Sequence, residues 1–420
     1  MGEKKAYTQA ATTGKYDKAS GLLGKYDNIR RFWEDQLTGL FIRPALNDLV
    51  HRKSENLERI RIIDIGCGSG DGYDLIMNVT TKDPGLYEHI TAAVTPDMLQ
   101  MYLGVDINED LLKQAKEYYG TNPKMRFVQE DLTAGFPDSI KALDPFDLYF
   151  TSYGTFSHFN QEESIRLVAD ICRHAPSGAL FMGDWLGRWS YEWQDLWHAP
   201  VDREYFMNYR ISYIYPPEER DHVDVAEFPL RLVCREEIEA IMHAAAAEAG
   251  CRIRPIKYFD RSILVGRHLE TGDYNKNCPP LRYPINSLFE GYTRTDLESL
   301  KVDYVPREGF DPLNNFFERF FMATNTLVDY TIALLSNYDS EKNTIRFAPP
   351  VLPFYPEPLK ETMISMRRII EGVGWLPWGD VRSNVIEPHL GYSLRKLEME
   401  LQSGMGVGHS LCGIFEILKD

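Results

Sequence analysis

One short stretch, residues 61–74, constrains the fold of this chain more than any other part of the sequence. It reads Arg-Ile-Ile-Asp-Ile-Gly-Cys-Gly-Ser-Gly-Asp-Gly-Tyr-Asp. The isoleucines at its start are typical of a strand that is buried on both faces of a parallel sheet. Glycines then stand at every second position, at Gly66, Gly68, Gly70 and Gly72. A strand, a glycine turn and a helix bring main chain close to a ligand at the carboxyl edge of a sheet, although a tight turn that binds nothing uses the same glycines.

Strands and helices alternate after this turn. Apolar runs predict strands at 101–108, 126–129, 146–152 and 178–184, and amphipathic spacing predicts helices at 109–119 and 161–173. This alternation is typical of a doubly wound α/β sheet.

Three acids stand at or near the carboxyl ends of consecutive predicted strands: Asp64, Asp106 and Asp131. An acid after the second strand can accept both hydroxyls of a ribose, and an acid after the third, together with the N–H of Leu132, can bind an adenine edge. Each acid alone is equally consistent with a helix N-cap or a loop charge. Three in register favour a nucleoside-binding edge.

The composition argues against several classes of protein. A formal net charge of -16 over 420 residues has the wrong sign for binding nucleic acid or an anionic membrane surface. The six cysteines include no Cys-x-x-Cys pair, so we expect no zinc site and no disulfide framework, and the sequence shows no convincing cluster of metal ligands. The chain has neither an apolar signal core in its first 20 residues nor a run long enough to cross a bilayer. We therefore expect a cytoplasmic protein.

The glycine stretch resembles a known motif. Ile62-Ile-Asp-Ile-Gly-Cys-Gly-Ser-Gly70 is similar to the first motif of class I S-adenosylmethionine-dependent methyltransferases, and Asp106, Glu130-Asp131-Leu132 and the strand from Phe146 match the positions of later motifs. The resemblance covers about residues 14–268 and implies S-adenosylmethionine as the cofactor. The residues then expected to form the cofactor site are Asp64, Gly66, Cys67, Gly68, Gly70, Asp106, Ile107, Asp131, Leu132 and Thr151.

The resemblance also implies roles for these residues and an architecture. The glycine turn would bracket the methionine part, Asp106 would hold the ribose, Ile107 would pack on the adenine, and Asp131 with Leu132 would bind its edge. The expected fold is a seven-stranded Rossmann-like sheet that closes with a helix and an antiparallel hairpin, whose strands would lie at 252–258 and 262–267. An irregular insert at 80–101 departs from the family pattern.

Three domains are expected. A helical lid occupies 1–60, where Tyr16 or Tyr26 would close over the cofactor, unless this segment is simply an amphipathic helix that covers the sheet. The S-adenosylmethionine-binding domain occupies 61–270 and carries a cap insertion at 185–230. A mainly helical auxiliary domain occupies 271–420 and serves as a cap or a homodimer interface.

Within the auxiliary domain, apolar spacing predicts helices at 313–336 and 358–372. The glycine run at 404–409 lacks the Lys-Ser/Thr ending of a phosphate loop and leads into a predicted strand at 411–418, so we expect no phosphate site there.

The loop after the fourth strand lies where an acceptor would react. Its titratable members are Tyr153 and His158. His158 is favoured as general base or substrate orienter, because its unperturbed pKa is near neutrality. A hydrogen-bonded structural histidine is an equally good interpretation.

An aromatic-rich stretch follows the fifth strand. Aromatic residues recur there at every fourth position, at Trp185, Trp189, Trp193 and Trp197 and then at Tyr205, Tyr209 and Tyr213. On a helix this spacing traces one face, so we expect aromatic walls that bind a flat, apolar or cationic acceptor, with Asp184 beside them. The alternative is that both stripes belong to the core.

These features predict a methyltransferase with a small-molecule acceptor, with O-methylation favoured narrowly over C- or N-methylation. A nicotinamide-dependent oxidoreductase is disfavoured, because Gly-Cys-Gly-Ser-Gly departs from Gly-x-Gly-x-x-Gly. A non-catalytic cofactor-binding scaffold is the alternative of a different kind. RNA methylation is opposed by the acidic charge.

Overall fold

The computed structural model describes residues 2–12, 25–83, 85–198, 201, 203–215, 222, 225–339, 341–342, 344–347, 355–375 and 379–419. The predicted lid residue Tyr16 lies outside these ranges.

The described residues form eleven strands. They are β1 (Ile60–Ile65), β2 (Leu99–Asp106), β3 (Met125–Gln129), β4 (Leu148–Phe150), β5 (Ala179–Gly187), β6 (Tyr205–Arg210), β7 (Glu227–Val233), β8 (Arg252–Arg261), β9 (Tyr338–Asp339), β10 (Thr344–Ile345) and β11 (Ser410–Leu418). Seven of them follow one path in the order β3-β2-β1-β4-β5-β11-β8, and β6 and β7 extend this sheet beside β5. The first five strands are parallel.

Helices cover both faces of the sheet. The described helices are α1 (Gly2–Thr12), α2 (Asp35–Glu55), α3 (Asp71–Met77), α4 (Glu109–Tyr119), α5 (Asp138–Lys141), α6 (Gln161–His174), α7 (Arg235–Ala249), α8 (Arg282–Ser287), α9 (Asp311–Ser336), α10 (Glu357–Gly372) and α11 (Glu387–Leu401). Ile62 packs into one core with α2, α3 and α4, whereas Ile63 and Ile65 pack into a second core with α5, α6 and α7. The predicted doubly wound α/β fold is therefore confirmed.

The predicted closing hairpin is wrong. Residues 262–267 form a buried turn, because the amides of Ser262, Ile263 and Leu264 donate to the Glu398 carboxylate and not to a neighbouring strand. The antiparallel strand of the sheet is β11, at the end of the chain, and it lies between β5 and β8. Residues 262–409 are therefore an insertion between the last two strands, and a boundary at 270 does not separate the sheet from the region that follows.

The helical interpretation of the aromatic stretch is also wrong. Trp185 belongs to β5, Trp193 lies at a break in a 3-10 turn (Tyr191–Leu196), and Tyr205 and Tyr209 belong to β6. A spacing of four is an even number, so it also keeps side chains on one face of a strand.

The inserted segment is mainly helical, as predicted. Phe317 and Phe321 of α9 pack against Tyr191, and α9, α10 and α11 pack on one another. Within the described residues, no helix is both long enough and apolar enough to span a membrane.

Candidate active site

A cavity of about 320 Å³ lies where the first four strands end. Its wall is formed by Ile65–Gly68 after β1, by Val105–Asn108 after β2, by Glu130–Thr133 after β3, and by residues of the loop after β4. This volume lies within the range of small-molecule sites, about 300–1,000 Å³. The carboxyl edge of the sheet is thus a ligand-sized site.

The glycine turn after β1 has backbone angles that favour glycine. Gly66 and Gly68 have φ values of 71° and 52°, and a Cβ on Gly66 would collide with the side chain of Thr155. The amides of Gly66 and Cys67 both donate to the carbonyl of Val105, at 2.8 and 3.0 Å. The turn is therefore hydrogen-bonded to β2, and its backbone lines the cavity.

Asp106 is the acid that joins the first two strand ends. Its Oδ2 accepts the Gly68 N–H and its Oδ1 accepts the Asn108 N–H, both at 2.8 Å. Burial raises the pKa of the Asp106 carboxyl, and these amide hydrogen bonds oppose the rise. Next to it, the Ile107 side chain is 44% exposed and lines the cavity, so an apolar surface adjoins the carboxylate.

Asp131 and Leu132 line the cavity after β3. Asp131 is exposed, and its Oδ1 accepts from the amide and the hydroxyl of Thr133 at 3.0 and 2.7 Å. Leu132 is buried. The acid therefore shapes its own turn as well as facing the site.

Two cations, Lys25 and Arg30, line the cavity beside the glycine turn, and sequence reasoning missed both. Lys25 pairs with Asp71, and Arg30 Nη2 lies 3.2 Å from Asp71 Oδ2. Burial lowers the pKa of Lys25, although Asp71 opposes this. Tyr26 donates to Asp71 and is not a lining residue.

The loop after β4 carries both predicted catalytic residues to the cavity wall. Tyr153 has a φ of 58°, its hydroxyl donates to Asp35 Oδ1 at 2.5 Å, and its ring lies under Arg30 at 3.8 Å. Burial holds the pKa of Tyr153 well above its usual value. His158 Nε2 lies 3.5 Å from the Tyr7 hydroxyl.

Four predicted site residues lie behind the wall and support it. Buried Asp64 accepts a hydrogen bond from Tyr102, and burial raises the pKa of this carboxyl to about 7. Asp184 Oδ2 accepts the Tyr153 N–H at 2.7 Å, and the Asp184 amide donates to Thr151 Oγ1 at 3.0 Å. A Cβ on Gly70 would lie 2.7 Å from the Tyr119 ring.

Most of the predicted aromatic acceptor wall lies elsewhere. Trp185 packs on Phe156, and the Trp193 indole donates to the Gly187 carbonyl at 3.0 Å. Trp189 packs on Phe310, and neither it nor Tyr205 lines the cavity. Among the described aromatic residues of this stretch, those that do line it are Tyr209 and Tyr213.

Arg267 and His409 line the cavity near these two tyrosines, and sequence reasoning missed both as site residues. Arg267 pairs with buried Glu34. His409 Nδ1 lies 2.6 Å from Glu192 Oε2. Burial and the neighbouring Arg267 hold the pKa of His409 well below its usual value. Both residues lie near the ends of the insertion, and no local motif marks them.

Comparisons with known proteins give distant likenesses. No family model matches the sequence, and no curated protein matches it. Similar solved structures include the CcbJ methyltransferase from Streptomyces caelestis, with a TM-score of 0.38 and 13% identity over 61% of this chain and 90% of that one. Another is an S-adenosylmethionine-dependent methyltransferase from Clostridium acetobutylicum, with a TM-score of 0.32 and 13% identity over 52% and 83% of the two chains.

Proposed function

We propose that this protein is a class I S-adenosylmethionine-dependent methyltransferase that acts on a small-molecule acceptor. One observation carries the proposal: the Asp106 carboxylate at the end of β2 is fixed at 2.8 Å by the Gly68 and Asn108 amides in the wall of a ligand-sized cavity. A carboxylate at this position can accept the hydroxyls of a ribose.

The neighbouring residues suit the other parts of the cofactor. The backbone of Gly66 and Gly68 would border its amino-acid part, and Lys25 and Arg30 beside this turn would attract its carboxylate. Ile107 and Leu132 would hold the adenine between apolar side chains, with Asp131 at its edge. Asp64, Gly70 and Thr151 would support this arrangement from behind.

The acceptor would bind where Tyr209 and Tyr213 line the cavity. The cofactor supplies an activated methyl group when bound, so the protein has to align the acceptor, exclude water and take up a proton. His158 in the same wall is the proposed proton acceptor, which favours a hydroxyl acceptor and O-methylation over C- or N-methylation. Binding by Trp185, Trp189, Trp193 and Tyr205 is not part of this proposal, since these side chains do not line the cavity.

Calorimetry tests the proposal. We expect S-adenosylhomocysteine to bind the full-length protein with micromolar affinity and NADH to give no heat. Asp106→Ala should abolish binding, whereas Asp110→Asn, an exposed acid in the first turn of α4, should keep it. Binding of NADH alone would contradict the proposal. Tight cofactor binding with no methyl transfer in a broad acceptor screen would favour a scaffold. A cytoplasmic location, a homodimer through 271–420 and a lid role for Tyr26 remain predictions.

A further inference from the structure

Three buried side chains from distant parts of the chain meet behind the cavity wall, at His409. Glu192 lies in the 3-10 turn after β5, His268 follows β8, and His409 directly precedes β11. Each is at most 3% exposed. One potential ligand atom from each residue lies within 4.8 Å of those from the other two.

His268 is the member of this cluster with unmet bonding capacity. Its ring is buried between aromatic neighbours, with the ring centroids of Tyr209 and Tyr274 each 4.7 Å away. Neither ring nitrogen has a hydrogen-bond partner among the described residues. The nearby Glu270 Oε1 lies 3.6 Å from Nδ1. Leaving a buried donor or acceptor unpaired costs about 1–3 kcal/mol, so a ligand for this imidazole is expected.

Glu192 is held in place by hydrogen bonds and by close packing. Its Oε1 accepts the backbone N–H of His268 at 2.7 Å, and its carboxyl group packs so closely on Gly266 that a Cβ there would collide with it. Within the described part of the chain, no lysine or arginine forms an ion pair with it. The nearby Arg267 and Arg282 pair instead with Glu34. A buried carboxyl group in this setting is stabilised by a proton or by a positive charge, and a bound cation would supply the latter.

We propose that Glu192, His268 and His409 bind a divalent transition metal, with Zn²⁺ as the best-suited ion. Two imidazoles and one carboxylate form a familiar three-ligand set for zinc, which leaves a further position for water or substrate. Glu270 beside His268 Nδ1 would orient the ring as an outer partner. Since His409 also lines the cavity, the metal would lie just behind the cavity wall, near Tyr209 and Tyr213, where the proposed function places the acceptor. This revises the expectation of no metal, which was based on local spacing, whereas Glu192 and His409 are 217 positions apart.

Metal analysis of the full-length protein tests this inference without relying on methyl transfer. After saturation with Zn²⁺ and extensive dialysis, we expect about one zinc per chain by mass spectrometry. Cobalt added after chelation should give the visible absorption of a four-coordinate Co²⁺ site. His268→Gln should lose both signals. His389→Gln should keep them, because His389 lies in α11 and is within 2.8 Å of Ser365 Oγ, outside the cluster.

Binding of S-adenosylhomocysteine reports whether each variant is folded, because His268 does not line the cavity. If His268→Gln fails to fold, the zinc stoichiometry and cobalt spectrum of the wild-type protein decide the question. Zinc well below one equivalent in the saturated wild-type protein would overturn the proposal and leave a hydrogen-bonded Glu192–His409 pair. Full zinc retention in both His268→Gln and Glu192→Gln would also overturn it. Zinc without cofactor binding would support the metal site while contradicting the proposed function.

Discussion

The two titratable residues of the β4 loop differ in the contacts that their side chains make. The Tyr153 hydroxyl is committed to Asp35, and its raised pKa makes it a poor proton acceptor near neutrality. His158 contacts the Tyr7 hydroxyl and faces the cavity. The structure therefore distinguishes a candidate base from a residue that shapes the site.

Replacement of His158 by Gln should lower kcat for a hydroxyl acceptor by about 10²- to 10⁴-fold, the usual contribution of general acid–base catalysis. The affinity for S-adenosylhomocysteine should change little. Rates with acceptors found by screening check this. Tyr153→Phe is the comparison, with a smaller expected loss. A wild-type kcat in His158→Gln would remove this residue from the mechanism.

Asp64 makes the stability of the protein depend on pH. Its folded-state pKa of about 7 lies above the ordinary value of 3.8, so the folded protein holds this proton more tightly than the unfolded chain. Its contribution to stability is therefore present below about pH 4 and falls as the pH rises to about 7, by roughly 4 kcal/mol in total.

Asp64→Asn removes this titration, so the stability of the variant relative to wild type should improve as the pH rises from 4 to 8. Urea unfolding across this interval measures the difference. Asp144→Asn, at a side chain that is 85% exposed, should follow the wild-type curve. Parallel curves for Asp64→Asn and wild type would show that Asp64 titrates normally.

Local spacing accounts for the site residues that the sequence could predict. The turn from Gly66 to Gly68 and the acid Asp106 lie at ends of strands that are recognisable from their own composition, and parallel strands bring these ends to one edge. Arg267 and His409 reach the cavity only through the pairing of β8 with β11. No sequence pattern near either residue indicates that these two strands pair.

At the scale of elements, the glycine run at 404–408 binds a side-chain carboxylate of the protein itself. The amides of Met405, Gly406, Val407 and Gly408 all donate to the Asp260 carboxylate, at 2.8–3.3 Å. Burial raises the pKa of Asp260 to about 6, and these bonds oppose the rise. The amides of the run therefore bind Asp260, which is compatible with the prediction that the run is not a phosphate loop. This contact joins the start of β11 to the end of β8.

Asp260→Ala should lower the free energy of unfolding by about 3–5 kcal/mol at pH 7, because it leaves several buried amides without an acceptor. Chemical unfolding followed by circular dichroism measures this loss. Asp260→Asn should lose less, since one oxygen can still accept. Asp83→Ala, at an aspartate that is 81% exposed, should lose almost nothing. An Asp260→Ala variant as stable as wild type would mean that water replaces the carboxylate.

The aromatic stretch shows why an element can be misread from its spacing. Trp185 and Trp189, or Tyr205 and Tyr209, are four residues apart, and this interval places side chains on one face of either a helix or a strand. A strand is distinguished from a helix by β-branched residues and by alternation of apolar and polar residues, and both features are weak in this stretch. The pairing of β6 with β7 decides the outcome, and it is a tertiary contact.

At the scale of the whole molecule, the chain closes its sheet with its last strand. The apolar run at 411–418 predicted a strand. Its partners are Ala179–Gly187 and Arg252–Arg261, and both lie far from it in the sequence. Strand partners at such separations are not encoded in local periodicity. The sequence predicted a hairpin between 252–258 and 262–267. In the structure, the amides of residues 262–264 donate to the Glu398 carboxylate instead.

This topology predicts how the protein responds to truncation. A chain that ends at residue 270 lacks β11, so β5 and β8 lose the strand between them and expose unpaired, apolar edges. A chain that ends at residue 401 keeps the helical insertion but lacks the same strand. We expect both to lose cooperative thermal unfolding and S-adenosylhomocysteine binding.

The decisive comparison is a chain in which a short Gly-Ser linker replaces residues 271–401 and Gln402–Lys419 are retained. It keeps β11 and the glycine run that binds Asp260, so its sheet can close. Circular dichroism melts and calorimetry should therefore rank it above both truncations, although it loses the apolar contacts of α9 with Tyr191 and should melt below wild type. Cooperative unfolding and full cofactor binding by the chain 1–270 would instead mean that β8 closes the sheet without β11. In that case residues 271–420 would be a separate auxiliary domain.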